Sequence, residues 1–334
     1  MISKNIKDYI KRRMNDLGNK KIPFLFIINF DITDSFICPI KDIDSKKIKY
    51  DVNGFTNCDI SKKTFPKQFY FKKFNLDFDE YKTAFNKVMY NLRQGNSYLA
   101  NLTFPTKIET NLNLEDIFNH SEAKYKLYYK NKFVVFSPEI FVQIKNKKIF
   151  SFPMKGTIDA SIADAENIII NDEKELAEHY TIVDLIRNDL SIISKNVKVD
   201  KFRYIDKLNT CDKQLLQVSS QISGELYDDY NSALGDIITS MLPAGSITGA
   251  PKKKTVDIIK DAENYDRGFY TGIFGIFDGI NLDSCVMIRF IEKTDKGFIY
   301  KSGGGITVNS NLNSEYNELI DKVYVPLNRN NKSL

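Results

Sequence analysis

Three short apolar runs around one tight polar turn constrain the fold of this chain more than any other stretch. Phe133–Ser137 and Ile140–Ile144 are apolar-rich, Lys145–Lys148 reads as a turn, and Ile149–Phe152 runs back. A turn with Asn146 and Lys147 as its two central residues pairs Lys145 with Lys148. The same register sets Glu139 opposite Met154, one step from Lys155 in Pro153-Met154-Lys155-Gly156-Thr157. A carboxyl and an amine would then share one edge of one sheet.

The 334 residues suffice for one large domain or two ordinary ones, and 42% hydrophobic content with 13% aromatics predicts a substantial core. Residues 1–75 read as a short N-terminal region packing on that core, with a helix over Ile2–Leu17 and a buried strand over Pro23–Phe30. The main domain is expected over 76–330. It opens with an N-cap box at Asp77-x-x-Glu80. Tyr81, Phe85, Val88, Met89 and Leu92 follow at helical spacing, and Gly95 closes the helix. Beyond it, strand pairs and helices alternate without βαβ regularity, which predicts an α+β fold.

Composition narrows the partners. The 48 basic residues are scattered among 43 acidic ones for a net charge of +5, the pattern of solvated surface lysines rather than a nucleic-acid stripe. Gly245 and Gly249 are spaced wrongly for a phosphate-binding glycine loop. The longest early apolar run, Phe24–Phe30, is far short of the roughly 20 residues a membrane span needs. Cys38, Cys58, Cys211 and Cys285 show no Cys-x-x-Cys spacing, so free thiols in a reducing cytoplasm are expected. With two histidines, His120 and His179, a His-rich metal centre is excluded.

Four acids could do chemistry. Asp172 and Glu175 fit a second capping box, so Glu175 has a purely structural reading as well. Glu178 shares a helix face with Glu175, Ile182 and Leu185, while Leu176, Tyr180 and Val183 make the other side apolar too. A glutamate on such a buried helix needs a partner. Glu315 and Glu318 repeat the i, i+3 spacing near the C-terminus. Two helices offering carboxylates suit Mg2+, which takes hard oxygen ligands and keeps some waters; surface glutamates are the alternative. A carboxylate-bridged di-iron bundle would require Glu-x-x-His, which is absent. Gly303, Gly304 and Gly305 follow a strand, where bare backbone N–H groups can approach an anion, although an ordinary turn uses glycine as well. Thr248 lies in a glycine loop before a helix with Pro251 in its first turn, and is a further candidate. Lys155 on its own reads as a solvated lysine.

Taken in order, these segments resemble the chorismate-utilising enzymes, which include anthranilate, isochorismate, salicylate and aminodeoxychorismate synthases. The resemblance rests on Ser137-Pro138-Glu139, Pro153–Thr157, Glu175–His179, Val183–Asp189, Pro243–Lys252, Arg267–Gly272, Met287-Ile288-Arg289, Gly303-Gly304-Gly305-Ile306 and Glu315–Glu318. These blocks span roughly residues 77 to 325. The family usually has alanine where Lys155 stands, and lysine there marks the aminodeoxychorismate branch.

The resemblance implies two large, mostly antiparallel sheets facing each other, helices outside, and an active site between them. It implies Lys155 as a nucleophile that attacks C2 of chorismate, and Glu139 as the acid that protonates the departing 4-hydroxyl. Ammonia then adds at C4 and expels the lysine. Glu178 and Glu318 match the family's Mg2+ ligands, with Glu175 and Glu315 in support. Arg289 matches the arginine that holds the pyruvyl carboxylate, and Tyr270, Gly156 and Thr157 match other substrate contacts. Arg187-Asn188-Asp189 is a family signature for which a structural hydrogen-bond hub is the only physical role offered. No cysteine–histidine pair of amidotransferase type is evident, so a separate glutamine amidotransferase subunit is expected. In tryptophan-regulated relatives the N-terminal part is longer and holds the inhibitor pocket; little room for one is expected here. Two departures stand out. Leu99 replaces a residue that activates water in isochorismate synthases, and Leu216 replaces a histidine common two residues before Val-Ser. Anthranilate synthase component I, and a chorismate-binding protein with reduced turnover, are the alternatives.

Overall fold

The computed structural model describes residues 2–59, 68–74, 76–209 and 214–327, so Cys211 and the expected end of the main domain at 328–330 lie outside the described residues. The first half runs α1 (Ile2–Asn19), β1 (Phe24–Ile28), β2 (Ser35–Pro39), β3 (Ile48–Val52), β4 (Phe55–Thr56), β5 (Phe71–Lys73), α2 (Phe78–Arg93), β6 (Leu99–Thr110), α3 (Leu114–His120), β7 (Tyr125–Tyr129), β8 (Phe133–Ser137), β9 (Ile140–Lys145) and β10 (Lys148–Ser151). The second half runs β11 (Met154–Asp159), α4 (Ala165–Asn171), α5 (Glu173–Ser191), β12 (Lys195–Asn209), β13 (Gln214–Glu225), α6 (Leu234–Ser240), β14 (Gly249–Ala250), α7 (Lys252–Ala262), β15 (Ile273–Phe277), β16 (Leu282–Val286), β17 (Phe290–Thr294), β18 (Gly297–Ile306) and α8 (Leu312–Asp321).

The strands form two nine-stranded sheets. One runs β11-β13-β10-β9-β16-β15-β1-β2 with β12 added on β13; the other runs β14-β6-β18-β17-β8-β7-β3-β4 with β5 added on β6. Their ladders are antiparallel. β1 shows why its sequence is continuously apolar. Phe24, Phe26 and Ile28 join a cluster with Ile10, Met14 and Leu17 of α1, while Leu25 and Ile27 join Tyr50, Leu127 and Phe133 of the facing sheet. A strand buried on both faces cannot alternate with polar residues. The outer face of the second sheet is covered by α2 through Tyr81, Phe85 and Val88, packed with Leu102 and Phe104. Residues of the leading region thus supply strands to both sheets. Among the described residues no helix is long and apolar enough to cross a membrane.

The opening turn forms as its sequence predicts. Lys145 pairs with Lys148, and Asn146 and Lys147 take φ of 52° and 59°, the left-handed geometry of a two-residue hairpin loop. The extrapolation to Glu139 fails. The β9–β10 ladder ends at Gln143↔Phe150, and Met154 pairs with Ser219 of β13. Pro153 has no N–H to continue the first ladder, and its carbonyl is taken by Ser220 N–H. Glu139 belongs instead to the β16 side, where its carbonyl accepts from Val286 N–H. β9 and the β10–β11 line therefore part, and the wedge between them is lined by Glu139–Val142 on one side and Ser151–Pro153 on the other.

Candidate active site

Lys155 owes its direction to a bulge. Met154 pairs with Ser219 and Thr157 with Gln217, so β11 has one residue more than β13 across this interval. Such a bulge re-aims the side chain it carries. Gly156 takes φ +80°, and a Cβ there would come within 3.3 Å of a Glu175 carboxylate oxygen. Lys155 Nζ lies 3.0 Å from Glu178 Oε2. It also stands 3.1 Å from where a side chain on Gly305 would begin, so glycine there leaves room for the amine.

Glu139 follows β8 at the other side of the same space. Ser137 Oγ accepts its N–H, and its Oε1 accepts the hydroxyl of Ser246 in a short hydrogen bond. Burial raises its pKa, with Ser246, Lys155, Lys322 and Arg289 pulling the other way. A carboxyl tuned upward keeps its proton to higher pH than an exposed one does, the direction that general-acid work requires. Tyr270 is buried nearby and its phenol is held neutral, chiefly by that burial. Arg289, at φ +54° between β16 and β17, stacks its guanidinium over Tyr324 at 5.3 Å.

Two helices bring the other acids. Asp172 caps α5 by accepting Glu175 N–H, which leaves the Glu175 side chain to line the cavity. The expected second apolar side of α5 is only partly there: Val183 is buried but Tyr180 is 57% exposed, because that side faces solvent. His179 is fully buried against Ser220 Oγ at 2.7 Å, and burial, with Arg203 and Lys155, lowers its pKa to about 4. On α8, Glu315 accepts from Ser310 Oγ and Glu318 pairs with Lys322 at 2.6 Å. The four glutamates are a hard-oxygen donor set, and Glu178 and Glu318 already hold cations, the ammonium groups of Lys155 and Lys322. That chemistry fits Mg2+. Among the described residues, however, no three ligating side chains converge on one point, so the acids would have to close around an ion.

These parts line one cavity of about 570 Å3 between the two sheets. Glu139, Lys155, Gly156, Thr157, Tyr270 and Arg289 border it, as do Glu175, Glu178, Glu315, Glu318, Gly303, Gly304 and Gly305.

The glycine run is not the turn that its composition allows. Gly303, Gly304 and Gly305 lie inside β18, paired with Thr103, Leu102 and Asn101 in that order. β17 stops at Phe290↔Lys301, so among the described residues one edge of β18 beyond Lys301 has no strand partner, and the Gly303 carbonyl there accepts from Lys322 Nζ at 3.0 Å. Gly304, the middle of the three, faces the acids of α8. A Cβ there would come 3.6 Å from Glu315 Oε2 and 3.7 Å from Glu318 Oε1, so a larger side chain would fill the space before those carboxylates. Gly303 differs again, since a Cβ on it would strike Thr103 and the Leu102 carbonyl of β6. Thr248 does not border the cavity. Its hydroxyl turns inward and donates to Ala244 O at 2.8 Å, while Ser246, two residues earlier, reaches the cavity instead.

Sequence reasoning missed Ser246, Lys322, Asn101, Lys301 and Gln217, all of which border the cavity. Lys322 had a readable signal, standing one helical turn beyond Glu318. Leu216 is buried against β11, pairing with Ile158, and its neighbour Gln217 is the residue turned to the cavity. Leu99 places a methyl beside Gly305, next to the Lys155 amine. Of Arg187-Asn188-Asp189, Asp189 is the hub: both its oxygens accept from Lys252 Nζ at 2.8 Å.

Comparisons with known proteins agree with this geometry. Residues 36–328 match the family described as chorismate binding enzyme. An uncharacterized PabA-like protein of Haemophilus influenzae is 50% identical over 313 residues, 94% of this chain and 95% of that protein. Aminodeoxychorismate synthase component 1 of Bacillus subtilis is 32% identical over 74% of this chain, which spans only 54% of that relative. Among solved structures, a putative 2,3-dihydroxybenzoate-specific isochorismate synthase of Bacillus anthracis superposes with TM-score 0.71 at 16% identity, covering 95% of this chain and 87% of that one. The menaquinone-specific isochorismate synthase of Escherichia coli superposes with TM-score 0.70 at 14% identity, covering 96% and 81%. At such identities the likeness speaks for the shared two-sheet fold, and it is the sequence match across 36–328 that assigns membership: this chain belongs to the chorismate binding enzyme family.

Proposed function

We propose that the chain is the synthase component of aminodeoxychorismate synthase, converting chorismate and ammonia to 4-amino-4-deoxychorismate on the route to 4-aminobenzoate and folate. The observation that carries this reading is Lys155, whose amine enters the cavity beside Gly305 where relatives of other specificity usually have alanine. In the proposed reaction the Lys155 ammonium parts from Glu178, releases one proton to water, and as the free amine bonds to C2 while the ring double bonds shift. Glu139 gives its proton to the 4-hydroxyl, which departs as water. Ammonia then bonds to C4, the C2–N bond breaks and frees Lys155, and the new ammonium returns a proton to Glu139. Anthranilate, the alternative product, requires ammonia at C2, the carbon that Lys155 takes.

Arg289 is placed to fork onto a carboxylate of the substrate, and the open edge of β18 at Gly303, Gly304 and Gly305 to receive another. Mg2+ would be held by Glu178 and Glu318 with Glu175 and Glu315 in support, and when bound would draw electron density from the ring carboxylate. The nitrogen source in this reading is a separate glutamine amidotransferase subunit, in a cytoplasmic setting where Cys38, Cys58 and Cys285 are free thiols. Product analysis of the purified chain with chorismate, Mg2+ and ammonium tests the reading. 4-Amino-4-deoxychorismate is expected with ammonium and none with glutamine alone. Anthranilate as the product, or no turnover of bound chorismate, would overturn it.

A further inference from the structure

Behind the substrate cavity lies a second, much smaller chamber, in the wedge where β9 and β10 part after Gln143↔Phe150. The two spaces have only Glu139 and Ser246 as common lining residues. The hydrogen bond between these two side chains is therefore the partition between them. We propose that this chamber is the antechamber from which ammonia reaches the substrate, with the Glu139–Ser246 pair as its gate. The proposal rests on the aminodeoxychorismate synthase reading.

Size is the first argument. The chamber measures about 30 Å3 against about 570 Å3 for the substrate cavity. By the same measure a water-sized molecule needs roughly 10–15 Å3. Ammonia fits and chorismate does not.

Polarity is the second. Apolar residues, among them Ile140, Phe141, Val142, Leu190 and Met241, make most of the wall. The polar groups there are already engaged: Ser151 Oγ donates to Phe141 O, and both Asp189 oxygens are held by Lys252. An ammonium ion would have to shed its water for a wall whose two carboxyls, Asp189 and Glu139, are already bonded to Lys252 and Ser246, which is costly; neutral ammonia carries no such penalty. The chamber thus favours the form of the nitrogen that has a lone pair to give.

Position is the third. A molecule leaving the chamber passes Glu139, the group that has just protonated the departing hydroxyl in the proposed reaction. Its carboxylate is then free to accept the proton that ammonia sheds on bonding to carbon.

Two variants of opposite sign test this, both at wall residues that do not border the substrate cavity. Ala244→Leu fills the chamber and Val142→Ala enlarges it. Steady-state kinetics should show the KM for ammonia raised at least about tenfold in Ala244→Leu, with the chorismate KM within about twofold of wild type. With methylamine as nucleophile, wild type should be poor and Val142→Ala should improve several-fold relative to ammonia. An unchanged ammonia KM in folded Ala244→Leu, or equal rises for ammonia and chorismate, overturns the proposal. If Ala244→Leu does not fold, the methylamine ratio of Val142→Ala decides alone, and no change in it overturns the antechamber. Failure of wild type to aminate chorismate at all would instead be a failure of the functional reading.

Discussion

Lys155 Nζ sits 3.0 Å from Glu178 Oε2, joining the proposed nucleophile directly to a proposed metal ligand. Both groups are largely withdrawn from solvent, the lysine 20% and the glutamate 9% exposed at the side chain. A carboxylate cannot fully serve the ammonium and a metal ion together. Glu178 would hold either the Lys155 ammonium or Mg2+, so a bound ion would favour release of the lysine toward substrate.

Glu178→Gln and Glu318→Gln keep shape but remove a negative charge each. Both are expected to raise the Mg2+ concentration needed for activity at least about tenfold, the scale seen when a metal site loses a supporting group. Calorimetric Mg2+ titration of the unliganded protein should follow the same order. Glu175→Gln should do less, because in this reading Glu175 supports the ion and Glu178 and Glu318 are the ligands. Equal Mg2+ dependence in wild type and both ligand variants would show that these glutamates do not hold the ion.

Glu139 should cost stability while serving catalysis. Burial raises its folded pKa above the unfolded value of about 4.3. A group raised in this way contributes fully below the unfolded pKa and loses that contribution as pH rises through the folded pKa. Glu139→Gln should accordingly melt higher than wild type at neutral pH, with the gap shrinking toward pH 4, and should lose about 10²-fold or more in rate. A variant that melts lower at neutral pH than at pH 4, relative to wild type, would contradict the assignment.

Arg267 and Glu263 form an ion pair behind the cavity in which both side chains are 2% exposed. The arginine also donates to the carbonyls of Asn101 and Ile247, both cavity residues, and Glu263 accepts Thr103 N–H. Arg267→Ala leaves a buried carboxylate without its cation and should destabilise by about 3–5 kcal/mol in chemical denaturation. A loss under about 1 kcal/mol would mean that water or a neighbour replaces the guanidinium.

Local chemistry was the legible part of this chain. The Asn146-Lys147 turn and the N-caps at Asp77 and Asp172 depend on a few adjacent residues and formed; of the two expected capping boxes, the half in which the Asp side chain accepts a backbone N–H is the one seen. What failed depended on distant partners. Glu139 and Met154 part because β13, roughly 65 residues on, captures β11 after Pro153. Gly303, Gly304 and Gly305 look like a turn until β6 is known to pair with them. Strand parity decides between Leu216 and Gln217, and the residues themselves do not say which face of β13 meets the cavity. Thr248 and Ser246 posed the same problem in a loop, where either hydroxyl could have satisfied a backbone carbonyl.

The central claim is that Lys155 bonds covalently to the substrate. Its most direct test is intact-mass and peptide analysis of the wild-type chain incubated with chorismate and Mg2+ without ammonia, alongside Lys155→Ala. The account predicts an adduct of chorismate less one water on Lys155, absent in Lys155→Ala, and a rate of 4-amino-4-deoxychorismate formation at least about 10²-fold lower in that variant. An unmodified Lys155 together with an unchanged rate in Lys155→Ala would contradict it.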